Sequence, residues 1–221
     1  NSISGRTYAE FTFLKDFTFT FNAALDKRFI YTEDFDNPIV GDGAPIGRGG
    51  RDSQINTTIN YNQLIRYNKS LGNHNFNVLL GHESFETEIY FFTGFRSGLV
   101  VDGNTELINF TTTLDLESNS ATLTREGYFA NLNYDYNGKY LLSGSYRRDA
   151  SSRFSRSARW GNFFSVGAAW NIDKENFLKD VSWLDALKLR LSYGEVGNDN
   201  LGDFFISQSL FGLGFNNGGE G

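Results

Sequence analysis

The densest run of side chains capable of chemistry lies between Arg147 and Trp160, RRDASSRFSRSARW. Arg147, Arg148, Arg153, Arg156 and Arg159 share this stretch with the carboxylate of Asp149 and the rings of Phe154 and Trp160. Guanidinium forks bind carboxylates, phosphates and aromatic faces, so the run could contact a ligand or a protein partner. The same groups could instead hold a structured loop by ion pairs and packing. A second candidate is TEDFDNPIVGDG, which gathers Glu33, Asp34, Asp36 and Asp42, oxygen donors of the type that hold Ca²⁺. Its spacing does not fit a helix–loop–helix calcium site, and a solvated acidic loop is the expectation. GDGAPIG, from Gly41 to Gly47, superficially matches a phosphate-binding glycine pattern. The spacing is wrong, Pro45 interrupts it and no helix is expected to follow. No metal and no cofactor is therefore assigned.

Catalysis would need a nucleophile or base assembled with partners. The two histidines, His74 and His82, fall at even separation on one expected strand, with no evident serine partner. An enzyme is not expected. The absence of cysteine removes disulfides, thiolate metal sites and a cysteine nucleophile. A net charge of −6 argues against a nucleic-acid partner, because phosphate binding demands a basic surface. Aromatics make up 16% of the chain and do not alternate with a basic stripe, which leaves single-strand stacking unsupported as well.

The elements that must position these groups are strands. Between Gly127 and Asn171, Tyr128, Ala130, Leu132, Tyr134 and Tyr136 occupy one parity, and Asn131, Asn133 and Asp135 the other. Successive side chains on a strand point to opposite faces, so this strand has an apolar-aromatic face and an amide-carboxylate face. Asn137-Gly138 between two such runs predicts a tight hairpin. The same alternation predicts strands at 8–14, 17–26, 53–68, 74–92, 122–136, 140–149, 162–172 and 187–196, with a ninth near 204–211. Short helical turns are expected within 173–186.

Most of these strands reach ten residues or more, longer than the roughly 5–6 usual in soluble domains and close to the 9–11 that cross a bilayer. Short connections at Lys15-Asp16, Lys69–Asn73, Asn137-Gly138 and Asp173–Ala186 alternate with long ones at 27–52, 93–120, 150–161 and 197–203. Short periplasmic turns opposite long outer loops define an outer-membrane barrel. The fold expectation is all-β, an antiparallel transmembrane β-barrel segment. Its apolar parity meets outer-membrane lipid, with His74 and His82 near the interface. Its polar parity faces the lumen: Asn56, Asn60, Asn62, Asn131, Asn133, Asp135, Lys188 and Arg190. A barrel with an open edge in lipid would strand backbone groups, and an odd strand count would not close one. The expectation is an internal piece, with residues 1–221 all part of one larger barrel domain. A small closed barrel of structural or adhesive role, and a soluble carbohydrate-binding sandwich, are the alternatives.

Motifs between Gly127 and Gly197 resemble the SusC/RagA family of TonB-dependent outer-membrane transporters. They are Gly127-Tyr128-Phe129, Tyr140-Leu141-Leu142, Arg147-Arg148-Asp149, Ser151-Ser152-Arg153-Phe154, Arg159-Trp160-Gly161, Phe164-Ser165-Val166, Ala169-Trp170, Trp183-Leu184, Leu187-Lys188-Leu189-Arg190, Ser192-Tyr193-Gly194 and Gly197-Asn198. Ala150 stands where the family commonly has Gly. The resemblance implies a plugged barrel of 22 strands in the outer membrane of a Gram-negative bacterium. It implies import of glycans or peptides, a SusD-like surface lipoprotein as lid, and the TonB complex as energy source. It also implies that the plug and the TonB-contacting segment lie outside this chain. Because the motif residues Arg147, Arg148, Asp149, Arg153, Phe154, Arg159 and Trp160 do not vary with cargo in that family, the loop is expected to be architectural.

Overall fold

The computed structural model describes residues 1–179, 181, 183–200 and 202, and among these it holds eight strands in one antiparallel sheet of order β1 to β8. The strands are β1 (Ser2–Phe13), β2 (Phe17–Asp36), β3 (Arg48–Leu71), β4 (His74–Leu99), β5 (Phe110–Tyr136), β6 (Tyr140–Ser151), β7 (Trp160–Asn171) and β8 (Lys188–Gly194). Every connection joins sequence neighbours, the simplest way to pair strands without crossing loops. The ninth strand expected at 204–211 lies outside the described residues.

The turns follow backbone chemistry. Asn137 and Gly138 both have positive φ (56° and 66°), and the Lys139 N–H donates to the Tyr136 carbonyl at 2.9 Å. Asn and Gly tolerate that left-handed region, which is why this dipeptide closes hairpins. Gly72 (φ 60°) serves the β3–β4 turn, and Leu14 and Lys15 take positive φ before Asp16. Two 3-10 turns, Ile172–Lys174 and Asn176–Leu178, fill the β7–β8 connection, as the broken alternation there implied.

Three expected loops shrink. β2 runs on to Asp36 and β3 begins at Arg48, so the 27–52 connection is only residues 37–47. β4 runs to Leu99 and β5 starts at Phe110, which leaves 100–109 rather than 93–120. The 150–161 loop contracts to 152–159. For β2 the cause is visible in the burial pattern: its last residues, from Phe29 to Asp36, are exposed throughout. A strand wet on both faces shows no apolar alternation, and only ladder hydrogen bonds reveal it.

The chain divides into two compact units. One comprises Asn1–Phe11, Phe19–Gln63 and Glu83–Thr124; the other comprises Thr12–Thr18, Leu64–His82 and the chain from Arg125 onward. In the first, Phe110 is fully buried, its ring filling the place a side chain at Gly49 would need. Asn109 braces the adjoining loop, its Nδ2 donating to the Val101 and Asn104 carbonyls at 2.7 Å each. Arg51, also buried, donates to the carbonyls of Gly50 and Thr105. The second unit carries the register of β5 to β8 from Arg125 onward and is the one in which two faces separate.

Candidate functional site: a two-faced sheet

Directly opposed residues of an antiparallel ladder project to the same face, so the register sorts the second unit's side chains. One face is built of rows: Tyr136–Tyr140–Trp170–Leu189, Tyr134–Leu142–Ala168–Leu191, Leu132–Gly144–Val166–Tyr193 and Ala130–Tyr146–Phe164. It is uncovered; Leu191 is 78% exposed, Leu189 61% and Val166 55%. Rings collect at both ends of it. At the turn end His74, Tyr136, Tyr140 and Trp170 follow one another at centroid distances of 4.8, 6.3 and 6.4 Å. At the other end His82, Tyr128 and Trp160 stack at 4.7 and 6.1 Å.

The opposite face is polar. Its rows are Asn131–Ser145–Ser165, Asn133–Ser143–Gly167–Ser192 and Asp135–Leu141–Ala169–Arg190, with Lys188 opposite Asn171. The Ser145 and Ser165 hydroxyls meet at 2.6 Å. Asn75 donates to Asp135 at 3.2 Å, and the Gly138 N–H also donates to that carboxylate, at 2.9 Å. The structure thus brings Asn131, Asn133, Asp135, Lys188 and Arg190 onto one open, amide- and hydroxyl-lined trough. In the first unit, Asn22 Nδ2 donates to Asn62 Oδ1 at 2.7 Å, Gln54 Nε2 donates to Asn56 Oδ1 at 2.8 Å, and Asn60 lines a shallow depression beside Arg6.

Above the amide rows the polar face turns aromatic. Arg147 stands directly opposite Phe129 on one side and Phe163 on the other. Its guanidinium lies 5.4 Å from the Phe129 ring centroid, and its Nε donates to Asp149 at 2.7 Å. Glycine makes room for these rings. A Cβ at Gly81 would fall 2.2 Å from the Phe129 ring, and Cβ atoms at Gly161 and Gly197 would fall 2.8 and 2.2 Å from Phe163. All three have ordinary backbone angles, so the requirement is for space, not for conformation.

The arginine run is dispersed by this geometry. Arg147 and Arg148 leave on opposite faces, and Arg148 lies 4.9 Å over the Trp160 ring. Arg153 is buried and donates to the Asp199 carbonyl at 2.6 Å. The Phe154 N–H donates to the Ser151 carbonyl at 3.2 Å, and the Ser151 N–H to the Arg159 carbonyl at 3.3 Å; Phe154 and Arg159 are half-buried and Arg156 exposed. Asp199 also receives two bonds from Arg125, at 2.6 and 3.0 Å. Burial raises the Asp199 pKa, but hydrogen bonds from Arg125 and Ser151 and the charges of Arg125 and Arg153 outweigh it and leave the carboxyl below its ordinary value. The Arg125–Asp199 pair spans 74 positions and has no local signal in sequence.

The acidic segment separates too. Glu33, Asp34 and Asp36 lie on β2, not in a loop, and Asp42 in a 3-10 turn. Asp36 pairs with Arg48 at 3.0 Å and Glu33 with Arg51 at 3.7 Å. No trio of His, Asp or Glu is disposed to hold a metal among the described residues. His74 Nδ1 meets the Tyr134 hydroxyl at 2.8 Å, and His82 Nε2 meets Glu126.

No family profile matches the chain. It is 36% identical over 165 residues to the TonB-dependent receptor SusC of Bacteroides thetaiotaomicron, a match covering 75% of this chain and 16% of that protein. A TonB-dependent receptor of Formosa agariphila is 42% identical over 98 residues, covering 44% of this chain and 9% of that protein. The solved structure of the RagAB peptide transporter matches with a TM-score of 0.86 at 26% identity, covering 94% of this chain and 23% of that one. The RagAB peptide importer in its open-open state matches with a TM-score of 0.81. The chain therefore spans less than a quarter of the length of these relatives.

Proposed function

Because this chain belongs to the SusC/RagA family of TonB-dependent receptors, we propose that it forms part of the barrel wall of an outer-membrane importer of large nutrients. The observation that carries the reading is the division of the second unit into an uncovered apolar face banded by rings and a polar face opposite. Tyr128 and Tyr136 are eight residues apart on β5, about 27 Å along a strand. Trp160 and Trp170 are ten apart on β7, about 34 Å along the strand. Tilted at 35–45°, these spans give heights of roughly 19–22 and 24–28 Å, which bracket the ~25 Å height of the lipid-facing band between aromatic girdles. Apolar rows at that height belong against acyl chains, with the rings at the headgroups.

The polar face then lines the lumen, and Asn131, Asn133, Asp135, Lys188 and Arg190 meet the plug or a passing substrate. Asn56, Asn60 and Asn62 take the same role in the first unit. Amide and hydroxyl side chains can exchange hydrogen bonds with glycans and with peptide backbones alike, so either cargo suits this wall. Similarity to SusC and to a peptide importer supports a SusD-like lipoprotein lid and energy drawn from TonB, through parts of the receptor outside this chain. The architecture implied is a plugged barrel of about 22 strands.

Deletion of the gene in its native Gram-negative host tests the reading. Growth on one class of glycan or on peptides should fail, and uptake in the wild type should stop when the proton gradient that feeds TonB is collapsed. Recovery of the protein in the aqueous fraction without detergent, or uptake that survives the deletion, would sink it.

A further inference from the structure

We propose that the end of the apolar face at Arg148 binds the phosphate of a lipid headgroup. The proposal rests on the membrane-wall reading above and adds a ligand to it. The rows of that face carry no lysine, arginine or histidine from Tyr136–Tyr140–Trp170 up to Ala130–Tyr146–Phe164, where the carboxylate of Glu195, beside Phe164, accepts the Tyr193 hydroxyl at 3.3 Å, and the next row is Tyr128–Arg148–Asn162. A cation therefore stands where the apolar surface stops, which is the level of the headgroups.

Arg148 has no counter-charge among the described residues. Arg147, its neighbour, turns to the other face and is paired with Asp149. Arg148 makes no ion pair or hydrogen bond among the described residues, and its guanidinium lies over the face of Trp160. The carboxylate closest to it in the register, Glu126, is engaged by His82 Nε2 and by the Tyr128 hydroxyl at 3.3 Å. Two further donors lie on the same face beside Arg148. Asn162, directly opposite Arg148, accepts the Tyr146 hydroxyl on its Oδ1 at 2.7 Å, which leaves its amide N–H groups to give. The Trp160 indole N–H has no acceptor among the described residues.

An unpaired guanidinium beside an amide and an indole N–H suits a phosphate, which takes several charge-assisted bonds at once. The rows below it decide between a free anion and a lipid. Tyr146, Phe164 and Val166 continue the patch as exposed apolar surface, at 48%, 44% and 55%. A ligand that satisfies both parts is an amphiphile, with its phosphate at Arg148 and its chains on those rings.

The test uses the intact receptor in nanodiscs of a phosphate-free glycolipid, titrated with phosphorylated lipid A and with its dephosphorylated form. Wild type should prefer the phosphorylated lipid, and Arg148→Gln should lose roughly tenfold in affinity for it, the worth of one charge-assisted bond. Affinity for the dephosphorylated lipid should not move, and Arg148→Lys should fall between. Equal affinity of wild type for both lipids would overturn the proposal, and this arm holds even if the variants fold poorly. Displacement of the lipid by equimolar inorganic phosphate would overturn the lipid assignment. A receptor that fails to enter the nanodisc would overturn the membrane-wall reading itself, a result distinct from a receptor that inserts and shows no phosphate preference.

Discussion

The Tyr140 hydroxyl donates to Oε1 of Glu175 at 2.6 Å, joining the first residue of β6 to the connection after β7. Lys139 Nζ reaches the other oxygen at 2.8 Å, and Trp170 Nε1 donates to Oε1 at 3.1 Å. The hydrogen bonds from Lys139, Tyr140 and Trp170 hold the Glu175 carboxyl well below its ordinary value, at about 2. One carboxylate thus pins the hairpin turn, the ring row and the outgoing loop.

That carboxylate should make the turn end acid-sensitive. Its pKa is lower in the folded protein, so its stabilisation is complete above the unfolded value of 4.5 and is lost as pH falls towards about 2. Hydrogen-exchange protection of the amides of Lys139 and Asn171, corrected for intrinsic rates, should decline across that window. Glu175→Gln should start less protected and show no such decline. Wild-type protection that stays flat from pH 5 to pH 2 would refute the assignment.

Much of this architecture is legible in sequence, and the unread parts share a cause. The alternation of Tyr128 to Tyr136 and the Asn137-Gly138 turn are local signals, so faces and hairpin follow directly. The outer half of β2 shows no alternation because both of its faces are wet. Arg125, bound to Asp199, and Tyr140, bound to Glu175, lie 74 and 35 positions from those carboxylates, set by how strands align and not by any motif. The glycines at 81, 161 and 197 carry a recognisable pattern at the last two positions. Their purpose, to seat Phe129 and Phe163, emerges only once the strands pair.

Gly81→Ala should destabilise the receptor by roughly 1–3 kcal/mol, the usual cost of overpacking, since the new methyl meets the Phe129 ring. In the Phe129→Ala background the same change should cost far less. A double-mutant cycle from denaturant unfolding in detergent measures the coupling. Additive costs would mean that Gly81 serves something other than this ring.

Arg125→Ala should free the segment around Asp199 while leaving the β5–β6 ladder intact. The pair is partly exposed, at 41% and 27% of the two side chains, so the global cost should stay near 1 kcal/mol or below. Exchange at Glu195–Asn200 should rise measurably. Arg153→Ala should do more, because its buried guanidinium also holds the Asp199 carbonyl. The depressed pKa of Asp199 adds a sign: the tether should weaken as pH drops below the ordinary aspartate value. A larger effect from Arg125 than from Arg153 would reverse this ranking.

The two faces can be told apart by one charge placed on each. Val166 lies mid-face between Gly144 and Tyr193, and Ser165, its neighbour in sequence, lies opposite Ser145 on the polar side. If the apolar face meets lipid, Val166→Lys puts an ammonium near the bilayer midplane and should cost about 2–4 kcal/mol. Ser165→Lys puts it in the wet trough, where solvation is retained and the cost should be within about 1 kcal/mol. Folding yield and unfolding midpoint in lipid vesicles give both numbers. In a soluble sandwich whose second layer covers the apolar face, Val166→Lys would also be costly, but the penalty would not depend on bilayer thickness. Repeating the pair in thin and thick bilayers therefore separates lipid from protein as the neighbour of Val166. A penalty that is the same in both bilayers would place protein, not lipid, against Val166, and one larger at Ser165 than at Val166 would invert the face assignment and with it the lumen-facing role of Asn131 and Asn133.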